Sequence, residues 1–378
     1  MKTNARHVRE PLFHLTRRMN VPTWFAWAVR VGAFAISMLV CCLVSCLLSD
    51  KVNPGFFFKY LFEGAFGSGM LIMSLLRDTA MYLLLALAVT PCFEMRYWNI
   101  GGEGQAMMGA LGCALVIVLT TGRLPVWGTI VLSLAAALLL AVLWAVIPAL
   151  FKAKWNTNET LLTLMFNYIA ICLGGFLIKK VAPMGTGILN FESGTLASLI
   201  GSDAVKSIVI IATAVVVTVV MFVYQKYSKH GYEISVVGQA PNTARYIGIN
   251  TRKVIVRTLL LCGLLGGIAG FLLVSVKDAS FLSDSTAEST VAGRGFTAVL
   301  ISWLAHFNPL AMALTSLLVV FITRGANQVG NMARLGNSYA GMMVGIFFFF
   351  IIATEFFINF KIRFRSHADA IRGGEETK

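Results

Sequence analysis

The chain has 378 residues, 57% of them hydrophobic and 13% charged, with a mean hydropathy of +0.78. Those proportions exclude an ordinary soluble domain and point to a polytopic membrane protein. The net charge of +14 does not mark a nucleic-acid binder, because the basic residues lie in short loops and tails between apolar runs, the bias of loops kept on the cytoplasmic side.

The elements are read in chain order with a span of roughly 17–25 apolar residues as the unit. Met1–Pro22 is a basic cytoplasmic tail, with an interfacial amphipathic helix as one form open to it. It reads as no secretory signal, since the apolar run behind it is span-length and lacks a nearby small-residue cleavage site. Phe25–Leu48 is the first span. Ser49–Asp78 is mixed in character, and its part Leu71–Asp78 is expected along the outer surface. Thr79–Phe93, Ala106–Thr121, Val126–Leu150 and Leu161–Ile178 are the next spans, with a tight outer turn at Gly122–Pro125. Ala182–Asp203 is an outer loop and Ser207–Tyr224 a further span. Gln225–Arg257 is the largest internal polar segment, basic except for Glu233.

In Leu259–Val276, the glycines and alanine of Gly263–Gly270 recur at a spacing that lets helices approach closely. Lys277–Glu288 is outer and acidic. Gly295–Ala305 and Leu310–Thr323 form a short apolar pair around His306-Phe-Asn-Pro309, either two spans or a re-entrant hairpin. Tyr339–Phe357 is the last span. The sum is an all-α polytopic membrane protein of about ten transmembrane helices, with both termini cytoplasmic. Its membrane domain covers residues 23–360 between tails 1–22 and 361–378.

Three stretches carry the function. The first, Asn99-Ile-Gly-Gly-Glu-Gly-Gln105, is polar and glycine-rich between two spans. One reading is a broken helix lining a path, where backbone freed by the break and the carboxylate of Glu103 face protein or water. The other is a cytoplasmic turn in which Glu103 sits at the positive end of the next helix. A phosphate cradle is excluded, because no strand or soluble nucleotide fold surrounds the glycines.

The second stretch is Asn158-Glu159 followed by Thr160, Thr163 and Asn167, a polar stripe on an apolar helix. Thr157 or Asn158 can cap that helix, and Glu159 suits its dipole. The stripe lines a path or bonds a neighbouring helix. In the third, Pro241 fits a first helical turn and Gly248 a stop, so one short helix of about seven residues is expected between them. Such a helix is stable only when packed on something, which a partner protein at the membrane surface would supply; a plain charged loop is the alternative.

The chain carries 7 cysteines without a CxxC pair and 5 histidines without zinc-like spacing, so the cysteines read as packing residues and no metal or catalytic residue is assigned. No P-loop motif occurs. An ion-coupled secondary transporter with Glu103 as its coupling acid is the rival to the reading that follows.

Together, Asn99–Gln105, Asn158-Glu159 with Leu164-Met165-x-Asn167-Tyr168-Ile169-Ala170, and Val237-Gly238 with Pro241, Ala244-Arg245-Tyr246 and Gly248-Ile249 resemble the permease subunits of bacterial ABC importers. The resemblance is to the group that works with basic-membrane-protein-type lipoproteins on nucleosides or simple sugars, related to branched-chain amino-acid and ribose permeases. It covers roughly Leu71 to Phe350. It implies broken, tilted helices in the bacterial cytoplasmic membrane and a second permease subunit, identical or homologous. It also implies ATPase subunits that hold ATP and Mg on the inner face, a substrate-binding lipoprotein outside, contact with membrane lipid, and no cofactor or nucleic acid on this chain. Asn99, Gly101, Gly102, Glu103, Gly104, Gln105, Asn158, Glu159, Thr163 and Asn167 would then flank the translocation path. Gly238, Pro241, Ala244, Arg245, Tyr246 and Gly248 would form the element coupled to the ATPase. Phe296–Pro309 is similar to a late family segment, but Thr297, Trp303 and His306 depart from it, and the basic N-terminal tail and Arg77-Asp78 lie outside its pattern.

Overall fold

The structure, a computed structural model, describes residues 13–18, 22–181, 188–282, 290–336 and 338–364. Its elements in order are β1 (Phe13–Arg17), α1 (Thr23–Leu48), α2 (Pro54–Phe66), α3 (Gly69–Glu94), α4 (Gly102–Thr120), α5 (Val126–Trp155) and α6 (Glu159–Val181). There follow β2 (Ile188–Asn190), α7 (Leu196–Ile200), α8 (Asp203–Tyr227), α9 (Lys229–Gln239), α10 (Pro241–Tyr246) and α11 (Thr251–Leu272), which continues as a π-helical turn, Leu273–Lys277. Last come β3 (Ser280–Leu282), α12 (Arg294–Leu304), α13 (Pro309–Ala333), α14 (Ser338–Asn359) and β4 (Phe360–Phe364). Among the described residues, 9 helices are long and apolar enough to cross a membrane, and α12 is a shorter apolar one.

The chain divides into two compact units, Met1–Tyr60 with Val329–Lys378, and Leu61–Gln328. In the first, α1 packs along α14. Phe34 meets Phe347 edge to face, the Ser45 and Tyr339 hydroxyls bond at 2.6 Å, and Arg30 pairs with Glu355 at 3.3 Å. β1 and β4 form an antiparallel ladder from Phe13↔Phe364 to Arg17↔Phe360. The amphipathic helix open to the N-terminal tail is therefore replaced by a strand over Phe13–Arg17. The reason is local: Phe13-His-Leu-Thr16 and Phe360-Lys-Ile-Arg-Phe364 alternate apolar and polar residues with a period of two, which suits a strand. Residues 1–12, 19–21 and 365–378 lie outside the described residues.

In the second unit, α4 and α11 are the most enclosed spans. Small residues let them close on each other and on α5. A Cβ on Gly270 would stand 2.4 Å from the Ala106 carbonyl oxygen, and one on Gly267 would stand 3.0 Å from that of Ala137. Ala137, Ala141, Ala145 and Ala149 form the buried stripe of α5, while Leu139 and Leu143 on its far side are exposed. Lipid tails are as apolar as leucine, so helix association rests on this close packing rather than on burying leucines. The described cysteines are free, and Cys92, Cys113 and Cys262 are buried among these helices.

Leu71–Asp78 does not lie along a surface. Ser68 caps α3 by accepting the Leu71 N–H at 3.3 Å, so the segment forms the first turns of a 26-residue helix. The charge that suggested a boundary is matched inside the unit: Asp78 takes Arg324 at 2.5 Å and Lys277 at 3.9 Å.

The pair around His306–Pro309 resolves into a half-helix and a full span. α12 has 11 residues, about 16 Å against roughly 30 Å of hydrocarbon. Its far end lies by the end of α3, with Ser302 bonded to Thr90 at 2.8 Å and Trp303 edge-on to Phe93. The chain then reverses through positive φ angles at His306 and Phe307, and α13 makes the crossing. The pair is therefore not two spans, since α12 is too short to cross while α13 is span-length.

Candidate functional site

The loop between α3 and α4 exposes Arg96 and Trp98 but is buried at its end, where it enters α4. Asn99 and Gly101 to Gln105 are all buried. The Asn99 Oδ1 accepts the Gly101 N–H at 3.0 Å, which tightens the turn into α4. α6 supplies the rest. The Asn167 Oδ1 accepts the Gly104 N–H at 2.8 Å, and its Nδ2 donates to the Ile100 carbonyl at 3.0 Å. The Thr163 hydroxyl accepts the Ile100 N–H at 3.3 Å and donates to the Glu159 carbonyl at 2.7 Å. The backbone freed by the glycines is thus paired with the polar stripe of α6, whose buried face is Thr163, Asn167, Ala170, Gly174 and Ile178. Gly104 must lack a side chain, because a Cβ would fall 2.7 Å from the Asn167 Oδ1.

Glu103 stands in the first turn of α4 and is 1% exposed. Its Oε1 accepts the Gly293 N–H at 2.8 Å and its Oε2 the Gly295 N–H at 2.7 Å. Those N–H groups are the positive end of α12, so one carboxylate answers the dipoles of two helices that start beside each other. Gly293 takes φ +73°, and a Cβ on Gly295 would lie 2.5 Å from the Glu103 Cα. Sequence reasoning missed both glycines; the signal was Gly293-Arg-Gly295 ahead of an apolar run, read only as a span edge.

Of the residues read as path-flanking, the junction brings together Asn99, Gly101, Gly102, Glu103, Gly104, Gln105, Thr163 and Asn167. It leaves Asn158 and Glu159 at its rim. Asn158 caps α6 by accepting the Leu161 N–H at 3.2 Å, and Glu159 pairs with Lys152 across the turn at 2.7 Å. Gln105 differs from its neighbours: it is 2% exposed and its Oε1 has no hydrogen-bond partner among the described residues. Next to the junction, Trp98 lies 5.2 Å from Trp303 with the rings tilted by 34°, and Phe93 and Phe307 are edge-on.

The polar segment after α8 holds the short helix expected between Pro241 and Gly248 and a second helix ahead of it. α9 precedes the expected short helix and docks on the end of α3, where a Cβ on Gly238 would meet the Glu94 carbonyl oxygen at 2.1 Å. α10 has Pro241 in its first turn. It ends in a Schellman motif: the Ile249 N–H bonds the Ala244 carbonyl at 2.9 Å, the Gly248 N–H bonds that of Arg245 at 3.1 Å, and Gly248 takes φ +84°. Ala244 and Ile249 root the helix in an apolar cluster with Cys92, Met95, Tyr97, Ile234 and Val254. Arg245 and Tyr246 point away, Tyr246 being 91% exposed. Tyr97 links the two sites, since it belongs to the loop leading into Asn99, and burial pushes its phenol pKa up.

Apolar spans interrupted by a buried polar break and a half-helix, with a rooted short helix on one face, define a membrane permease. A family model described as "Branched-chain amino acid transport system / permease component" matches residues 71–352, and the chain belongs to that family. It is a multi-pass permease subunit of the ABC transporter class. It is 25% identical over 366 residues to a glucose ABC transporter permease protein, TsgB13 of Haloferax volcanii, covering 92% of this chain and 93% of that one. The guanosine ABC transporter permease protein NupP of Bacillus subtilis is 26% identical over 338 residues, covering 88% and 94%. The nucleoside ABC transporter permease protein NupB of Lactococcus lactis is 24% identical over 345 residues, covering 88% and 92%.

Proposed function

We propose that the chain imports a small, neutral, hydroxyl-rich solute, a nucleoside or simple sugar, across a cytoplasmic membrane. ATP is hydrolysed on separate subunits that dock on α10, and both termini lie on that cytoplasmic side. A second permease subunit and an external binding protein complete the importer. The observation that carries the reading is the geometry of α10: it is anchored through Ala244 yet presents Arg245 and Tyr246 outward. The names of the relatives favour the solute class.

The coupling acid of the secondary-transporter rival loses its support, because both oxygens of Glu103 are held by backbone N–H groups. Gln105 is the strongest candidate for solute contact in the junction, its carbonyl oxygen being buried and unpartnered among the described residues. A site built to hydrogen-bond a hydroxyl rejects analogues that lack it.

The test is purification from the native membrane, followed by reconstitution and uptake of labelled guanosine and glucose. The reading requires an ATPase subunit to co-purify and uptake to need ATP. Uptake that continues without ATP and collapses with the ion gradient would defeat it.

A further inference from the structure

The end of α5 and the start of α11 border an open concavity of about 380 Å³ that the transport reading does not use. Lys154, Arg252, Lys253 and Arg257 line it, over an apolar floor that includes Leu150 and Val256. No carboxylate lines it, and none of the four cations has a carboxylate partner among the described residues. Arg252 and Lys253 fall in the first turn of α11, which holds no acid. Cations there oppose the positive end of the helix dipole. Glu233 lines the neighbouring concavity that Lys253 and Arg257 also border, so across the two linings Lys154, Lys229, Arg252, Lys253 and Arg257 stand against Glu233 alone.

Beyond the concavity both spans carry exposed leucines: Leu150, Leu143 and Leu139 on the face of α5 away from its alanine stripe, and Leu260 and Leu264 on α11. Spacings of seven and four residues on α5, and of four on α11, keep each row on one helix face. The α5–α11 seam itself is tight, since a Cβ on Gly263 would meet the Ala141 carbonyl oxygen at 2.8 Å.

We propose that this is a binding site for one anionic phospholipid. The phosphate lies among Lys154, Arg252, Lys253 and Arg257, and an acyl chain lies against the exposed leucines of the two spans. An acidic protein surface could answer the cations, but only a lipid also covers apolar side chains that continue into the membrane. Basic pockets at the cytoplasmic ends of spans bind anionic headgroups in this way.

The experiment is native mass spectrometry of the complex purified from its membrane and delipidated. It is then titrated with phosphatidylglycerol or phosphatidylcholine, with soluble glycerol phosphate as competitor. Phosphatidylglycerol is expected to stay bound in preference to phosphatidylcholine, and glycerol phosphate to fail to displace it. The double variant Arg252→Gln/Arg257→Gln should bind phosphatidylglycerol about thirtyfold more weakly, with an unchanged melting temperature. Lys226→Gln, a basic residue outside the concavity, should bind as wild type. Equal retention of both lipids, equal loss in Lys226→Gln, or displacement by glycerol phosphate would each overturn the proposal. So would binding that appears only after the ATPase subunits are stripped away.

Discussion

The two carboxylate oxygens of buried Glu103 are met by two backbone N–H groups, of Gly293 and Gly295. Replacing it with Gln preserves one acceptor and turns an NH₂ group toward an N–H donor. Leaving a buried donor unmatched costs about 1–3 kcal/mol. We predict that Glu103→Gln lowers the melting temperature of the purified complex by a matching amount, with uptake falling alongside. Lost uptake at an unchanged melting temperature would move Glu103 from holding α12 to handling solute. Asn167→Leu is the companion test, because it strips partners from the Gly104 N–H and the Ile100 carbonyl together. Two orphaned groups should cost about 2 kcal/mol or more, again visible on melting. A neutral Asn167→Leu would mean that water replaces the side chain, and that the junction is wetter than its burial implies.

At the scale of elements, the small-residue spacing in α11 was legible, because close approach of helices needs small side chains whatever the partner is. Gly270→Ala should therefore cost about 1–3 kcal/mol by overpacking, since its Cβ would lie 2.5 Å from the Ala110 nitrogen. Gly341→Ala in α14 is the contrast: no heavy atom lies within 4 Å of its Cβ position, so the change should gain up to about 1 kcal/mol of helix propensity. Melting of the two variants side by side checks both signs. Pro241 and Gly248 likewise announced α10 through their own backbone preferences.

What stayed hidden depended on distant partners. The Arg77-Asp78 pair broke the apolar run of α3, and nothing nearby revealed that Arg324, 246 residues on, neutralises Asp78. α9 was masked by Gly231 and Gly238, poor helix formers in isolation. Gly238 is needed because α9 lies against the Glu94 backbone. Path and turn readings of Asn99–Gln105 could not be separated locally, since the glycines that receive Glu103 lie about 190 positions away.

Across the whole molecule, a force applied to α10 has a continuous packed route to the junction. Ala244 and Ile249 share a cluster with Met95 and Tyr97. That segment leads directly into Asn99 and the Gly101 turn, and Glu103 then holds the start of α12. Coupling travels through contiguous packed elements of this kind when they have two arrangements to choose between. Arg245 sits at the outer end of the route, exposed, and contributes nothing to the cluster beneath it. Reversing its charge should leave the fold intact and disturb only what docks there, because like charges set against each other at an interface cost several kcal/mol. Arg245→Glu is thus expected to lower solute-stimulated ATP hydrolysis by the reconstituted complex at least about tenfold, with melting temperature and basal hydrolysis unchanged. Wild-type stimulation in that variant would show that the engine grips some other part of this face. A fall in melting temperature instead would show that Arg245 supports the permease itself, and the outward-facing side of α10 would lose its meaning as a handle.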